Sequence, residues 1–378
     1  MRLLGGLTAI SAAIATGGLV SVVVTTAATT SAAAPAARTT AVRTAAPARL
    51  PQAGNPNGHA YVPPAGRAVS TAHPTRVIGR GTAASCTSRA VVRAVARGGV
   101  ITFNCGSKPV TITMSATAKV RNTSQQVVLN GGGKVTLSGA GRRRILYMNT
   151  CDKRQVWTTS HCQDQATPRL TVENLTFTRG NASGHFIGNG SGGAIYAQGG
   201  QLKVVNSRFI NNRCYRVGPD LGGAAVRALM QYRNRPVYVV HSTFTGGVCS
   251  NGSALSSIGV SWTVLNSLFA HNRAVGFGAN PKQPGTPGGG SGGAIYNDGD
   301  NYSLIIRGTV MRFNHAREGG GAIFYVCDGN CGHAYVRILR STLHDNPSAG
   351  FFTAGYPGIF YHTTGGPPHP VVTNSKIN

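Results

Sequence analysis

The stretch Gly192-Gly193-Ala194-Ile195-Tyr196 recurs along the chain and decides its fold. Four related segments follow: Gly222-Gly223-Ala224-Ala225-Val226, Gly252-Ser253-Ala254-Leu255-Ser256, Gly292-Gly293-Ala294-Ile295-Tyr296 and Gly320-Gly321-Ala322-Ile323-Phe324. Their first glycines are 30, 30, 40 and 28 residues apart. A unit of this length is too short to form a domain alone, so successive units must stack on one another. The sequence therefore predicts one long domain of stacked repeats.

A second repeated segment accompanies the first. It occurs at 170–177, 202–209, 237–244 and 262–269, with looser copies further on. Apolar alternation predicts a strand, and an Asn or His three residues before the aromatic residue predicts a turn within it. Three residues after the aromatic position lie Asn212, Asn272, Asn314 and Asn346. We expect these side chains to form a ladder of hydrogen bonds between repeats.

One repeat thus has a strand at the glycine segment, a second strand, a sharp turn and a third strand. This coil resembles the right-handed parallel β-helix of the pectate-lyase-like superfamily, and the GGAI and FxxN motifs resemble the repeats of polymorphic outer-membrane proteins. The resemblance covers residues 82–378 and implies an all-β, right-handed parallel β-helix. It does not imply one activity, because this fold carries lyases, hydrolases, esterases and adhesins.

The N-terminal region predicts export. Residues 1–34 contain Arg2, an apolar region and then small residues, which is typical of a signal peptide. After cleavage we expect no stable membrane span and a secreted or cell-wall-associated protein. Residues 35–81 are rich in Ala, Pro and Arg and predict a disordered basic linker. Residues 87–97 predict a short amphipathic helix that ends at Gly98-Gly99 and covers the open end of the stack.

Eight cysteines in an exported chain predict four disulfides. Cys214 and Cys249 each lie five residues after the aromatic residue of their coil, so they occupy one column of adjacent coils. Neighbouring strands lie about 4.8 Å apart, which suits a disulfide. The other expected pairs are Cys86–Cys105, Cys151–Cys162 and Cys327–Cys331.

The charge predicts an anionic partner. The chain has 36 Lys and Arg against 9 Asp and Glu, a formal net charge of +27. An acidic polysaccharide or cell-wall polymer fits this charge, whereas a basic surface that serves only solubility is the alternative. Nucleic acid is disfavoured, because no reading motif is present. No metal or other cofactor is expected, since no acidic cluster supports calcium and the only close acidic pair, Asp298 and Asp300, predicts a turn.

The alternation of side chains along the glycine segments predicts a binding face. If the aliphatic column at Ile195, Ala225, Leu255, Ile295 and Ile323 faces the core, the alanine column faces outward. The outward face would then include Tyr196, Ala254, Ser256, Tyr296 and Phe324. Long loops at 214–221 and 276–291 flank a short one, which predicts a notch centred on Ala254.

The residues at the edge of the notch predict the chemistry of the site. Arg213, Arg273 and His315 directly follow ladder residues, and His271 lies two residues before Arg273. Two facing carboxylates, which a glycoside hydrolase needs, are hard to arrange with nine acids. β-Elimination needs a base, here Arg273, His271 or His315, and cations that neutralise a uronate. A polysaccharide lyase and a non-catalytic surface adhesin or structural module both stay open, and we expect a monomer.

Overall fold

The computed structural model describes residues 53–184, 190–279 and 283–378. The chain divides into two compact units, Met1–Ala46 and Pro47–Asn378. The first unit, with the expected signal peptide at residues 1–34, lies outside the described residues. The described part is all-β apart from α1 at Ser88–Arg97 and a few short 3-10 turns.

Within the described ranges, twenty-eight strands follow one another in short coils. In chain order they are β1 Arg76–Ile78, β2 Gly99–Phe103, β3 Val110–Thr113, β4 Ala118–Lys119, β5 Gln126–Ser138, β6 Leu146–Asn149, β7 Arg169–Thr178, β8 Ile195–Gln198, β9 Gln201–Val205, β10 Arg208–Ile210, β11 Val226–Leu229, β12 Val237–Val240, β13 Thr243–Thr245, β14 Val248–Cys249, β15 Leu255–Ile258, β16 Trp262–Leu265, β17 Leu268–Ala270, β18 Arg273–Ala274, β19 Ile295–Asp298, β20 Ser303–Arg307, β21 Val310–Arg312, β22 His315–Ala316, β23 Ile323–Cys327, β24 Tyr335–Leu339, β25 Thr342–His344, β26 Ile359–Thr363, β27 Val371–Thr373 and β28 Lys376–Ile377.

These strands form three sheets of 17, 8 and 3 strands, which we call the large, glycine and small sheets. Neighbouring strands are parallel, and equivalent positions of successive coils lie opposite one another. In the large sheet, the four rings Phe177, Phe209, Phe244 and Phe269 stack with centroids 4.8–5.0 Å apart. The predicted stack of coils is therefore confirmed, and the architecture is consistent with a parallel β-helix.

A residue in the left-handed backbone conformation makes the sharp turn between the second and third strands of a coil. The backbone φ is 43° at Asn206, 45° at His241 and 52° at Asn266. Asn tolerates this conformation better than most residues, because its short polar side chain can form local hydrogen bonds. At this corner Asn206 Nδ2 donates to Asn174 Oδ1 at 2.7 Å. The repeated Asn or His thus fixes the corner and links adjacent coils.

The predicted asparagine ladder is confirmed at the next corner for Asn272, Asn314 and Asn346, whereas Asn212 accepts from Gly180 N and donates to the Phe177 carbonyl. Asn272 Nδ2 donates to Asn314 Oδ1 at 2.8 Å, and Asn314 Nδ2 donates to Asn346 Oδ1 at 2.8 Å. All three side chains are buried. Each amide also donates to the backbone carbonyl of the preceding coil, for example from Asn314 to Phe269. Buried polar groups need such partners, so the ladder fixes the register of the coils.

All four predicted disulfides are present: Cys86–Cys105, Cys151–Cys162, Cys214–Cys249 and Cys327–Cys331. The Cα atoms of Cys214 and Cys249 are 4.8 Å apart, as their shared column requires. This bond joins adjacent coils, whereas Cys327–Cys331 closes a local loop.

The helix α1 begins one residue later than predicted. Its N-cap is Thr87, whose side chain accepts a hydrogen bond from Ala90 N, and Gly98 ends it with a φ of 66°. The apolar face of α1 buries Val91, Ala94 and Val95. It packs mainly against β1, β2 and β4, the first strands of the stack.

The predicted boundary at residue 82 is wrong. The strand β1 pairs with β2 before that point, and residues 53–75, which we call the N-terminal strap, lie across the large sheet. Ala60 and Val62 cover an apolar column of Val205, Val240 and Leu265 that faces away from the main core. The composition suggested disorder, but this column supplies the apolar surface that orders the strap.

We expect Asn314→Ala to lower the free energy of unfolding by about 2–3 kcal/mol, because it leaves buried groups of Asn272, Asn346 and Phe269 without partners. The measurement is the midpoint of denaturant unfolding followed by circular dichroism. Asn57→Ala, at an exposed side chain, is the matched control. Equal midpoints for the two variants would contradict a structural role for the ladder.

Candidate functional site

The predicted binding face on the glycine sheet is buried. Tyr196 and Ser256 are 0% exposed, Phe324 is 2% exposed and Tyr296 is 6% exposed. The Tyr296 and Phe324 rings stack at 5.1 Å, and burial raises the pKa of Tyr196 to about 12. These aromatic side chains pack against their neighbours in the column, so they offer no surface to a sugar.

The alanine column was also predicted wrongly. Ala254 is 0% exposed and belongs to the same core cluster as Leu255. Within a strand, the side chains of consecutive residues point to opposite faces, but this rule does not apply outside the strand. Ala254 precedes β15, at the corner where the chain enters the sheet, so both residues point into the core.

One segment is displaced by one residue from the predicted alignment. Val226, not Ala225, lies opposite Ile195, and Arg227 therefore lies opposite Tyr196 and Ser256. The Arg227 side chain is fully buried and donates from Nη1 to Ser256 Oγ at 2.5 Å and from Nη2 to the Asp220 carbonyl at 2.6 Å. Burial lowers the pKa of this guanidinium. A buried cation thus occupies the centre of the predicted face and contributes to its packing.

The predicted notch is closed. Gly218 N donates to the Gly288 carbonyl at 2.8 Å, so the two long loops meet. Both contact the short loop between them, where Ser250 Oγ donates to the Gly218 carbonyl at 2.7 Å and Asn251 Nδ2 to the Pro219 carbonyl at 2.5 Å. A short loop between long ones leaves space that its neighbours can fill. Since Arg227 donates to the Asp220 carbonyl of one of these loops, the loops cover the part of the glycine sheet around Arg227.

The predicted edge residues do come together. Val248, Arg273 and His315 lie opposite one another on β14, β18 and β22, and Arg213 forms a parallel bridge with Val248. Asn181 extends the line by a bridge to Arg213. Arg213 and Arg273 are exposed and His315 is half-buried. We call the five residues Asn181, Arg213, Val248, Arg273 and His315 the basic row.

A column of turn residues runs beside the basic row. His271, two residues before Arg273, has a φ of 57° and stacks on Phe313 at 5.2 Å. Phe313 is 43% exposed, and the Arg312 guanidinium lies 5.9 Å from its ring centre. Arg179 occupies the turn position that is equivalent to His271, three coils earlier in the stack. It is exposed and adds another cation. Sequence reasoning missed Phe313 and Arg179, although both directly precede a ladder position, as His271 does.

The basic row has a defined electrostatic character. Burial, and then the nearby positive charge of Arg273, lowers the pKa of His315. A lowered pKa leaves the imidazole neutral at neutral pH, so it can accept a proton. Its Nδ1 atom is buried without a hydrogen-bond partner among the described residues. The two ion pairs in the described ranges are Arg154–Asp152 and His344–Asp345, so the arginines of the row are not neutralised by a carboxylate there.

Metal ligands are not clustered in the described part of the chain. No group of three or more His, Cys, Asp or Glu side chains could hold a metal ion there. Over the same residues, no helix has the length and apolar character needed to cross a bilayer.

Comparison with known proteins gives no relative. No protein-family model matches the sequence, and neither a curated protein nor a solved structure shows significant similarity to it. The candidate site therefore rests on the geometry of the chain itself.

The basic row yields a prediction for histidine titration. We expect His315 to titrate below the ordinary value of about 6.5 and Arg273→Gln to raise its pKa, because a neighbouring positive charge is removed. Nuclear magnetic resonance of the imidazole protons measures this shift. Arg93→Gln on α1 is the control and should leave the titration unchanged. An unchanged His315 pKa in Arg273→Gln would contradict the proposed contact.

Proposed function

We propose that this protein is an exported, right-handed parallel β-helix, capped by α1, that binds an anionic polysaccharide along the basic row. The observation that carries the proposal is the in-register exposure of Arg213 and Arg273 beside Phe313. Four disulfides are typical of an oxidising compartment and support an extracellular location. We infer the fold assignment from the repeat pattern together with the parallel register.

The spacing of charges favours a polymer. Arg213 and Arg273 are separated by one intervening coil, so at about 4.8 Å per strand they lie about 9.6 Å apart along the stack. A linear chain that lies along the stack can present carboxylate or sulfate groups at such intervals. The planar guanidinium group binds these anions through two parallel hydrogen bonds. A single small anion would contact only one of the two arginines.

The aromatic group beside the row favours a sugar. Phe313 presents an exposed ring, and the His271 ring stacks against it. An exposed aromatic face can pack against the apolar face of a pyranose ring while the arginines bind its acidic group. Phe313 therefore takes the place that Tyr196, Tyr296 and Phe324 had in the sequence-based expectation.

Cleavage by β-elimination is a second candidate function. Arg273 and His315 lie on adjacent strands in one register, so a uronate carboxylate bound at Arg273 would bring its neighbouring C–H near His315. The lowered pKa of His315 favours the neutral form that a general base requires. Without such turnover, the same surface would serve a non-catalytic cell-wall or surface module.

Binding should depend on the arginines of this face. We expect the triple variant Arg179→Gln, Arg213→Gln, Arg273→Gln to bind polygalacturonate at least about tenfold more weakly, because the loss of even one charged hydrogen bond, worth about 1.5–3 kcal/mol, lowers affinity by that factor or more. Wild-type affinity should also fall as salt rises. Calorimetry at graded salt measures both effects.

The matched control removes the same charge from another face. The variant Arg89→Gln, Arg93→Gln, Arg97→Gln alters three exposed arginines of α1. It should bind polygalacturonate nearly as well as the wild type. Equal losses in both triple variants would assign binding to net charge rather than to this face. An affinity that ignores salt would rule out an electrostatic ligand.

Turnover has a separate test. If the protein is a lyase, incubation with polygalacturonate or alginate should produce the ultraviolet absorbance of unsaturated uronates, and His315→Gln should abolish that signal while retaining binding. The Asn57→Ala protein serves as the control for handling. If no such absorbance appears with or without calcium, β-elimination is ruled out and binding is the function.

A further inference from the structure

A second basic site lies on the large sheet, beneath the N-terminal strap, whereas the basic row runs along the small sheet. A cavity of about 540 Å³ opens between the strap and strands β5, β7, β9 and β12. This volume falls within the range of about 300–1,000 Å³ that is typical of small-molecule sites. Ala65 and Val69 of the strap form one wall, and Arg169, Lys203 and Arg235 lie among the facing residues.

The strap is held firmly at both sides of this cavity. On one side Asn266 Oδ1 accepts from Ala60 N at 2.7 Å and Asn266 Nδ2 donates to the Ala60 carbonyl at 2.9 Å. On the other side Val69 N donates to Glu173 Oε2 at 2.9 Å. Between them, Lys203 Nζ donates to the Arg67 carbonyl at 2.7 Å. These bonds keep the wall in place, so the cavity is preformed.

The charges that line the cavity do not balance. Glu173 is buried, and both of its oxygens already accept hydrogen bonds, from Val69 N and from Asn130 Nδ2. Its charge interacts with Lys203, and burial raises the pKa of Glu173 and lowers that of Lys203. Arg169 and Arg235, both exposed, have no carboxylate partner in the described ranges. An excess of positive charge therefore faces the cavity.

The wall also offers neutral groups suited to a hydroxylated ligand. Gln126, Arg169 and Gln201 lie opposite one another on β5, β7 and β9, and Arg235 and Tyr238 are further lining residues. Gln201 Nε2 donates one hydrogen bond to the Ala166 carbonyl at 2.7 Å, which leaves its second N–H for a ligand. Arg235 Nη1 lies 3.5 Å from Gln201 Oε1, a contact long enough to yield to a ligand. Amide groups donate and accept hydrogen bonds, and the tyrosine ring can pack against a sugar.

We propose that the cavity beneath the N-terminal strap binds a small carboxylate-bearing sugar. One of the two arginines, Arg169 or Arg235, holds the carboxylate, and the other arginine and the glutamine amides hold the hydroxyl groups. This site is separate from the basic row, because its lining residues lie on the strap and the large sheet and none of them belongs to that row. The strap is part of the site, since Ala65 and Val69 form its outer wall.

Calorimetry of the full chain with glucuronate tests this proposal, and glucose is the neutral control. We expect one glucuronate per chain and no measurable heat of binding with glucose. Arg169→Gln and Arg235→Gln should each weaken glucuronate binding about tenfold, as expected for loss of a charged hydrogen bond. Ala65→Phe, which places a ring at an exposed position of the cavity wall, should weaken it at least as much.

Two controls separate this site from the basic row and from misfolding. The double variant Arg213→Gln, Arg273→Gln should bind glucuronate like the wild type, and all variants should retain the wild-type unfolding midpoint. The proposal is overturned if the wild type does not bind glucuronate, if glucose binds equally well, or if Arg169→Gln and Arg235→Gln leave affinity unchanged. An equal loss of glucuronate affinity in the basic-row variant would place the bound glucuronate at the basic row and overturn the proposal.

Discussion

The structure depends on the requirement that each coil supplies hydrogen-bond partners to the coil before and the coil after it. Strand backbones satisfy this requirement through parallel pairing, but the corners between strands cannot. At one corner the amides of Asn272, Asn314 and Asn346 replace the missing partners, and at another Asn174 and Asn206 do so. A ladder of this kind works only if equivalent residues lie directly above one another. Register is therefore fixed at the corners as well as in the sheets.

Strict register also decides which surfaces can be functional. Loops that leave the stack at one edge lie side by side, so a long loop reaches over a shorter neighbour. The contact between Gly218 and Gly288 is an example, and it buries the column that contains Arg227 and Ser256. On the small sheet, the short β18 and β22 leave Arg273 exposed. The exposed face is thus the one that the loops do not reach.

Repetition made most of the fold predictable, and its interruptions caused the errors. The ladder, the turns at the corners, the disulfide Cys214–Cys249 and the alignment of Arg273 with His315 all follow from positions counted within a repeat. The count fails at Val226, because Gly223 and not Gly222 is the equivalent of Gly192, and this offset places Arg227 in the column. Burial of Tyr196 depends on Tyr147 and Arg144 of the preceding coil, and the order of the strap depends on an apolar column elsewhere in the chain. Such effects arise between distant segments, which local patterns do not report.

The two basic surfaces differ in the ligand geometry that each can select. Residues of the basic row repeat with the coil spacing, so their charges form a line along the stack that suits an extended anion. In the cavity, the strap crosses the coils and closes one side, so Arg169 and Arg235 face a limited volume. Both surfaces follow from the same regular stack: the basic row repeats with its coils, and the cavity forms where the N-terminal strap runs across them. The net charge of +27 is consistent with both, so the shape around the arginines, and not their number, must determine what each surface binds.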